Sequence, residues 1–185
     1  MRHIHSFFCA ALVCGLMAAC SAQNPSPTST PNVASHAMPT ANANLPYDAA
    51  FMDAMIAHHQ GAIDMTYQAR QGAERTEIKD FLEQIALEQA GEIKQMRAWR
   101  AEWYPNLAAS AIAPNDMVIS GDAATPFDIR FINAMIPHHE AAIKMANEAK
   151  TKITRPELLK LADAIIKTQT SEIGQMQKWK AEWAK

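Results

Sequence analysis

Sliding the chain against itself by eighty residues aligns two segments without a gap, and this internal repeat constrains the fold more than any other feature. YDAAFMDAMIAHHQGAIDM from Tyr47 matches FDIRFINAMIPHHEAAIKM from Phe127, and QAGEIKQMRAWRAEW from Gln89 matches QTSEIGQMQKWKAEW from Gln169. Each copy reads as two helices. In the leading helix Phe51, Met55, Ala62, Met65 and Ala69 follow a 3.6-residue period. The trailing helix carries Ile78, Leu82, Ile85, Gln89, Glu92, Met96, Trp99 and Trp103, a stripe repeated from Ala162 and Ile165 through Trp179 and Trp183.

Start signals are present in both copies. The first leading helix begins near Pro46. In the second, Thr125 is placed to N-cap, Pro126 sits where a missing N–H matters least, and Asp128 suits the positive end of the dipole. The trailing helix opens near Thr76 in copy one, and Thr154-Arg155-Pro156-Glu157 resembles a capping box in copy two. Pro137 lies inside the second leading helix, where Ala57 stands in the first, and is expected to kink it.

A lone amphipathic hairpin cannot bury its apolar face. Two of them can, as an all-α four-helix bundle with a pseudo-twofold axis. The alternative is an open hairpin pair that dimerises, but the Pro/Ala/Asn/Gly-containing link is long enough to let the second unit fold back. The expected organisation is an export segment over 1–20, a disordered linker over 21–46 and the bundle over 47–185. Within the bundle, repeat one spans 47–104, the link 105–124 and repeat two 125–185.

The N-terminus reads as a signal peptide: Arg2 supplies the charge, and Phe7 to Met17 form an apolar core too short to span a bilayer. Met17-Ala18-Ala19-Cys20 resembles a lipobox with Met in place of the usual Leu, so Cys20 is the expected lipidation site. An ordinary cleavage near Ala22 is the other reading. The expected location is the periplasmic side of a bacterial membrane, lipid-anchored at the outer membrane or soluble in the periplasm. The membrane is then a partner through the anchor only. All three cysteines lie at or before Cys20, so a mature chain has no disulfide and any soft-metal chemistry must use methionine sulfur. The formal charge of −2 comes from dispersed acids and bases, which build no basic stripe for nucleic acid.

The leading helices carry Met55, His58, His59 and Met65, repeated as Met135, His138, His139 and Met145. Met55 and His59 are four apart and point the same way, whereas adjacent histidines diverge by about 100°. One helix therefore cannot offer both histidines to a single ion. Thioether is a soft donor and imidazole a borderline one, a set that selects Cu(I) and also suits Ag(I). Hard cations want oxygens, and structural zinc wants four His or Cys. Copper fits best by ligand type. Against this, methionine is a common core filler. Met96 and Met176 are further candidates, although the neighbouring tryptophans favour ordinary packing there, as core or bundle-end caps. Gln89, Glu92, Gln169 and Glu172 interrupt the apolar stripes, and a Glu–His hydrogen bond would orient an imidazole. Glu92 at the stripe edge is otherwise simply solvated. His36 and Met38, in the linker, are isolated.

These residues resemble the bacterial family known as domain of unknown function 305. Its mark is Met-Ile-x-His-His-x-x-Ala-Ile-x-Met, matched by Met55 to Met65 and Met135 to Met145. The later Glu-Ile-x-x-Met with tryptophan, at Glu92 to Trp99 and Glu172 to Trp179, also fits. The resemblance implies a ferritin-like four-helix bundle and a role like that of exported members described as copper-binding proteins in metal resistance.

The reading is a non-enzymatic copper binder that buffers Cu(I) or hands it to a partner protein. A ferritin-like di-metal oxidase is the enzymatic alternative, but it normally needs Glu-x-x-His pairs, and this chain has none. A structural or interaction module whose Met-rich stripe is only core is the third possibility. It predicts that the four motif histidines can be replaced without changing any metal response.

Overall fold

The computed structural model describes residues 45–110, 112 and 118–183. The export segment, Cys20, and the linker through residue 44 lie outside the described residues, as do His36 and Met38. Four helices follow in order: α1 (Tyr47–Ala69), α2 (Thr76–Trp103), α3 (Phe127–Ala149) and α4 (Pro156–Trp183). No strand occurs among the described residues, and none of their helices is long and apolar enough to cross a membrane.

The repeat is visible in three dimensions. α1 and α3 each have 23 residues, α2 and α4 each have 28. Helix α3 continues through Pro137 to the same length as α1. The turns after α1 and α3 close alike: Ala69 O accepts from the N–H of Gly72 and Ala73, and Ala149 O from those of Lys152 and Ile153. Glycine is needed at 72, because a Cβ there would lie 2.6 Å from the Phe127 ring.

α1 packs along α2 and α3 along α4, and the hairpins meet where α1 crosses α3. Two apolar clusters show that this crossing is antiparallel. One joins Phe51, Met52 and Met55 of α1 to Ala142, Met145, Ala146 and Ala149 of α3, with Leu158, Ala162 and Ile165 of α4 beneath. The other joins Ala62, Met65 and Ala69 of α1 to Ile129, Phe131, Ile132 and Met135 of α3, with Ile78, Phe81, Leu82 and Ile85 of α2. Alanines let the two helices approach, and the large side chains fill each end. Phe51 and Phe131 are fully buried, and truncating either to alanine should cost about 3–5 kcal/mol. The hairpins thus close on each other within one chain.

Neither expected cap forms locally. Pro126, not Thr125, occupies the N-cap position of α3, and no side chain caps it. Thr154 does not close a local capping box either. Its N–H and hydroxyl donate to Asp48 Oδ1 and Oδ2 at 3.0 and 2.7 Å, so the preamble of α4 is held by the second residue of α1. The counterpart is Asp128, which accepts from the N–H of Glu74 and Arg75 at 3.0 and 3.2 Å and from the Arg75 guanidinium at 3.0 Å. Each repeat therefore holds the turn that leads into the other's trailing helix.

The far ends of α2 and α4 obey the same exchange. Trp99 stacks on Trp103 and Trp179 on Trp183, with Arg155 over Trp103 and Arg75 over Trp183, both at 4.4 Å. One device belongs to repeat one alone. Arg100 pairs with Asp53 at 2.9 Å and donates to the carbonyls of Tyr104 and Ala108, while Asp53 accepts from the N–H of Ser110. This pins the start of the link against the first hairpin; Asn133 and Lys180 stand at the matching positions of repeat two.

Candidate metal centre

All ten candidate ligands are buried. Met55, Met65, Met96, Met135 and Met176 have no exposure, Met145 has 4%, and His59, His138 and His139 have none, with His58 at 5%. Met55, Met145 and Met96 share the first apolar cluster, and Met135, Met65 and Met176 share the second. Each group draws its sulfurs from α1, α3 and one trailing helix. Both combine the two repeats, which the motif on one helix does not reveal. Met52, also fully buried, adds a fourth methionine to the first cluster, where Ile132 stands in the second.

The histidines form the layer between these sulfur-rich ends. His58 and His138 face each other where α1 crosses α3, with ring centroids 3.9 Å apart. The adjacent rings diverge as helix geometry requires, His58 and His59 being 6.4 Å apart and His138 and His139 6.3 Å. One histidine of each pair thus addresses the other repeat. The second turns to its own hairpin: His59 Nε2 lies 2.6 Å from Glu92 Oε2, and His139 Nε2 lies 2.8 Å from Glu172 Oε2. The first contact is a good hydrogen bond, and the second is out of line for one.

This geometry decides which nitrogen can bind. At His59 the Glu92 carboxylate only accepts, so the proton sits on Nε2 and the lone pair is left on Nδ1. The Nδ1 atoms of His59 and His139 are buried and have no hydrogen-bond partner among the described residues, nor has His139 Nε2. An orphaned imidazole nitrogen beside thioethers is a donor suited to a soft cation. The same layer holds Gln89 and Gln169, at 3% and 2% exposure, with Gln89 Oε1 and Nε2 and Gln169 Oε1 also unpartnered. Among the described residues no three His, Cys, Asp or Glu side chains converge to hold a metal, so an ion there needs sulfur as well.

The two halves of this layer differ. The Glu92 side chain is 21% exposed and that of Glu172 only 5%. Glu88 of α2, absent from the residues the sequence singled out, feels the charge of Glu172 of α4. Desolvation first, then repulsion from Glu172, and more weakly from Glu92, push it above the ordinary carboxyl range, against a hydrogen bond from Gln84. Thr168 occupies the matching position in repeat two, so the only sequence signal was a break in the repeat.

The family described as "Domain of unknown function (DUF305)" matches residues 48–125 and 128–185. Among solved structures, this chain is similar to CopM in its Cu(I)-bound form, at 40% identity and a TM-score of 0.66, over 74% of this chain and 96% of that one. CopM in its Cu(II)-bound form gives 39% and 0.65 over 74% and 97%, and CopM has also been solved bound to Ag. A DUF305 protein from Streptomyces coelicolor is 25% identical at a TM-score of 0.63, over 74% of this chain and 92% of that one. Among curated proteins there is no match.

Proposed function

This chain belongs to the DUF305 family, and on that premise we propose that it is a copper-binding protein that takes up Cu(I), and Ag(I) by the same chemistry, through methionine and histidine. The observation that carries the reading is the pairing of each sulfur-rich cluster with a buried imidazole whose Nδ1 is left without a partner. His59, oriented by its hydrogen bond to Glu92, and His139, whose Nε2 lies 2.8 Å from Glu172, supply those nitrogens. Met55, Met96 and Met145 supply sulfur at one end, and Met65, Met135 and Met176 at the other. His58 and His138 stand between the ends and complete either set. Similarity to CopM, whose structures hold Cu(I), Cu(II) and Ag, supports the same cargo here.

Neutral thioethers and imidazoles favour Cu(I) over Cu(II), since a soft, low-charge donor set stabilises the softer ion. The protein buffers or hands over the ion and is not an enzyme. Anchored through Cys20, or released after cleavage, it works on the periplasmic side of the membrane.

The test is anaerobic competition for Cu(I) against a chromophoric chelator. Three proteins are compared: the wild type, a variant with the six methionines replaced by leucine, and a variant with the four histidines replaced by glutamine. Saturable binding lost in variants that remain helical supports the assignment. Equal weak binding by all three would make the stripe ordinary core.

A further inference from the structure

Within the two repeats every methionine but one has a methionine as its counterpart eighty residues away. Met55, Met65 and Met96 answer to Met135, Met145 and Met176, whereas Met52 answers to Ile132. Met52 is fully buried and belongs to the cluster that already holds Met55, Met96 and Met145. On α1 it stands three residues before Met55 and seven before His59, spacings that put all three on one face of the helix. Ile132 is equally buried in the other cluster, so the position packs without sulfur. Filling the core at this place therefore does not call for a thioether.

We propose that Met52 is a further ligand, and that it makes the end built around His59 the tighter of two Cu(I) sites. The inference rests on the copper reading above and ranks the two ends. With Met52 the first end gathers four thioethers, Met52, Met55, Met96 and Met145, against Met65, Met135 and Met176 at the second. Thioether is soft and uncharged, so an added sulfur stabilises Cu(I) and Ag(I) more than a harder or more highly charged ion. Methionine also has three rotatable bonds, which let its sulfur swing onto an ion without moving the helix. Each end carries its own reporter: Trp99 and Trp103 pack against the first cluster, Trp179 and Trp183 against the second.

The experiment titrates the whole protein with Cu(I) anaerobically against a chromophoric chelator while tryptophan emission is followed. Replacing Trp179 and Trp183 by phenylalanine leaves the first end to report, and replacing Trp99 and Trp103 leaves the second. Emission should change first at the Trp99 end. Met52→Ile, which copies the second repeat, should weaken the tighter step about tenfold, the low end of what a group supporting a metal contributes, and leave the weaker step alone. Met52→Leu removes the same sulfur in a side chain of similar volume and should match it. Ile132→Met should strengthen the weaker step. Tight binding left unchanged by both Met52 variants would make Met52 a core filler, with the copper site still standing. An equal fall in both steps would also overturn the proposal, since Met52 would then act through packing of the whole bundle. A first response at the Trp179 end would overturn the ranking. No Cu(I) binding by the wild type would refute the copper reading and this inference together.

Discussion

Replacing Asp128 by alanine should be among the most damaging changes available outside the apolar core. The side chain is 1% exposed and accepts three donors, the N–H groups of Glu74 and Arg75 and the Arg75 guanidinium. A hydrogen bond to a charged group contributes about 1.5–3 kcal/mol. Bond lengths of 3.0 and 3.2 Å, at a part-buried helix end that water can reach, place each backbone bond at the low end. The Arg75 side chain is 34% exposed, so its ion pair adds about 0–1 kcal/mol. The sum is about 3 kcal/mol, above the range of about 0.5–2 kcal/mol for an ordinary cap because two donors are lost together. For a domain of this size that corresponds to a fall in Tm of about 10 °C. Asp128→Asn keeps one acceptor and should cost about half as much. Urea unfolding followed by far-UV circular dichroism at pH 7 measures the difference. Asp48→Ala should behave similarly, having lost the bonds to Thr154. A cost below about 0.5 kcal/mol for Asp128→Ala, with cooperative unfolding intact, would refute the claim that the carboxylate holds the other hairpin.

Other outcomes follow from the central layer. Glu92→Gln turns a charge-assisted bond to His59 into a neutral one and should weaken Cu(I) binding about tenfold in chelator competition. Glu172→Gln should weaken it less, since its contact to His139 is already out of line; the reverse order would show that the carboxylates do not orient the rings. Cu(I) affinity should fall as pH drops below about 6.5, where imidazoles ordinarily protonate, while the thioether share persists. Affinity flat from about pH 7.5 to 5 would remove histidine from the ligand set. Glu88 has a raised pKa in the fold, so its ionised form destabilises the native state above that pKa, and the penalty vanishes below the unfolded value. Glu88→Gln should accordingly raise stability at neutral pH, with the gain fading as the solution is acidified through the carboxyl range. A gain independent of pH would contradict that account.

Much of this architecture could be read from the chain because the repeat states each feature twice. Helix starts near Pro46 and Thr76, the stripes from Ile78 and Ala162, and the turn of Glu92 toward a histidine all rest on local periodicity, which tertiary packing here reinforces. The N-cap of α3 is Pro126, one residue past Thr125, and the capping assignment at Thr154 went wrong for the opposite reason. Local rules put the partner within three residues, whereas Asp48 and Thr154 are 106 residues apart. The grouping of Met55 with Met145, and of Met65 with Met135, depends on α1 and α3 running antiparallel. A motif on one helix suggests a site within that helix, but the antiparallel crossing gathers each methionine cluster from two. Glu88 was illegible because a lone glutamate on an exposed face looks solvated until α4 is placed opposite it.

The exchange of bonds made by Asp48 and Asp128 has a further consequence. Residue i of one half bonds residue j of the other, and j's counterpart bonds i's, which is the rule for an isologous homodimer. The bundle is in this sense a dimer of one ancestral hairpin whose two subunits have been fused. Fusion freed the halves to diverge, and they have: Met52 against Ile132, Glu88 against Thr168, and the Asp53–Arg100 pair against Asn133 and Lys180. A symmetric dimer must present the same side chains in both of its halves. A fused one can give its two halves different side chains, and so need not treat them alike.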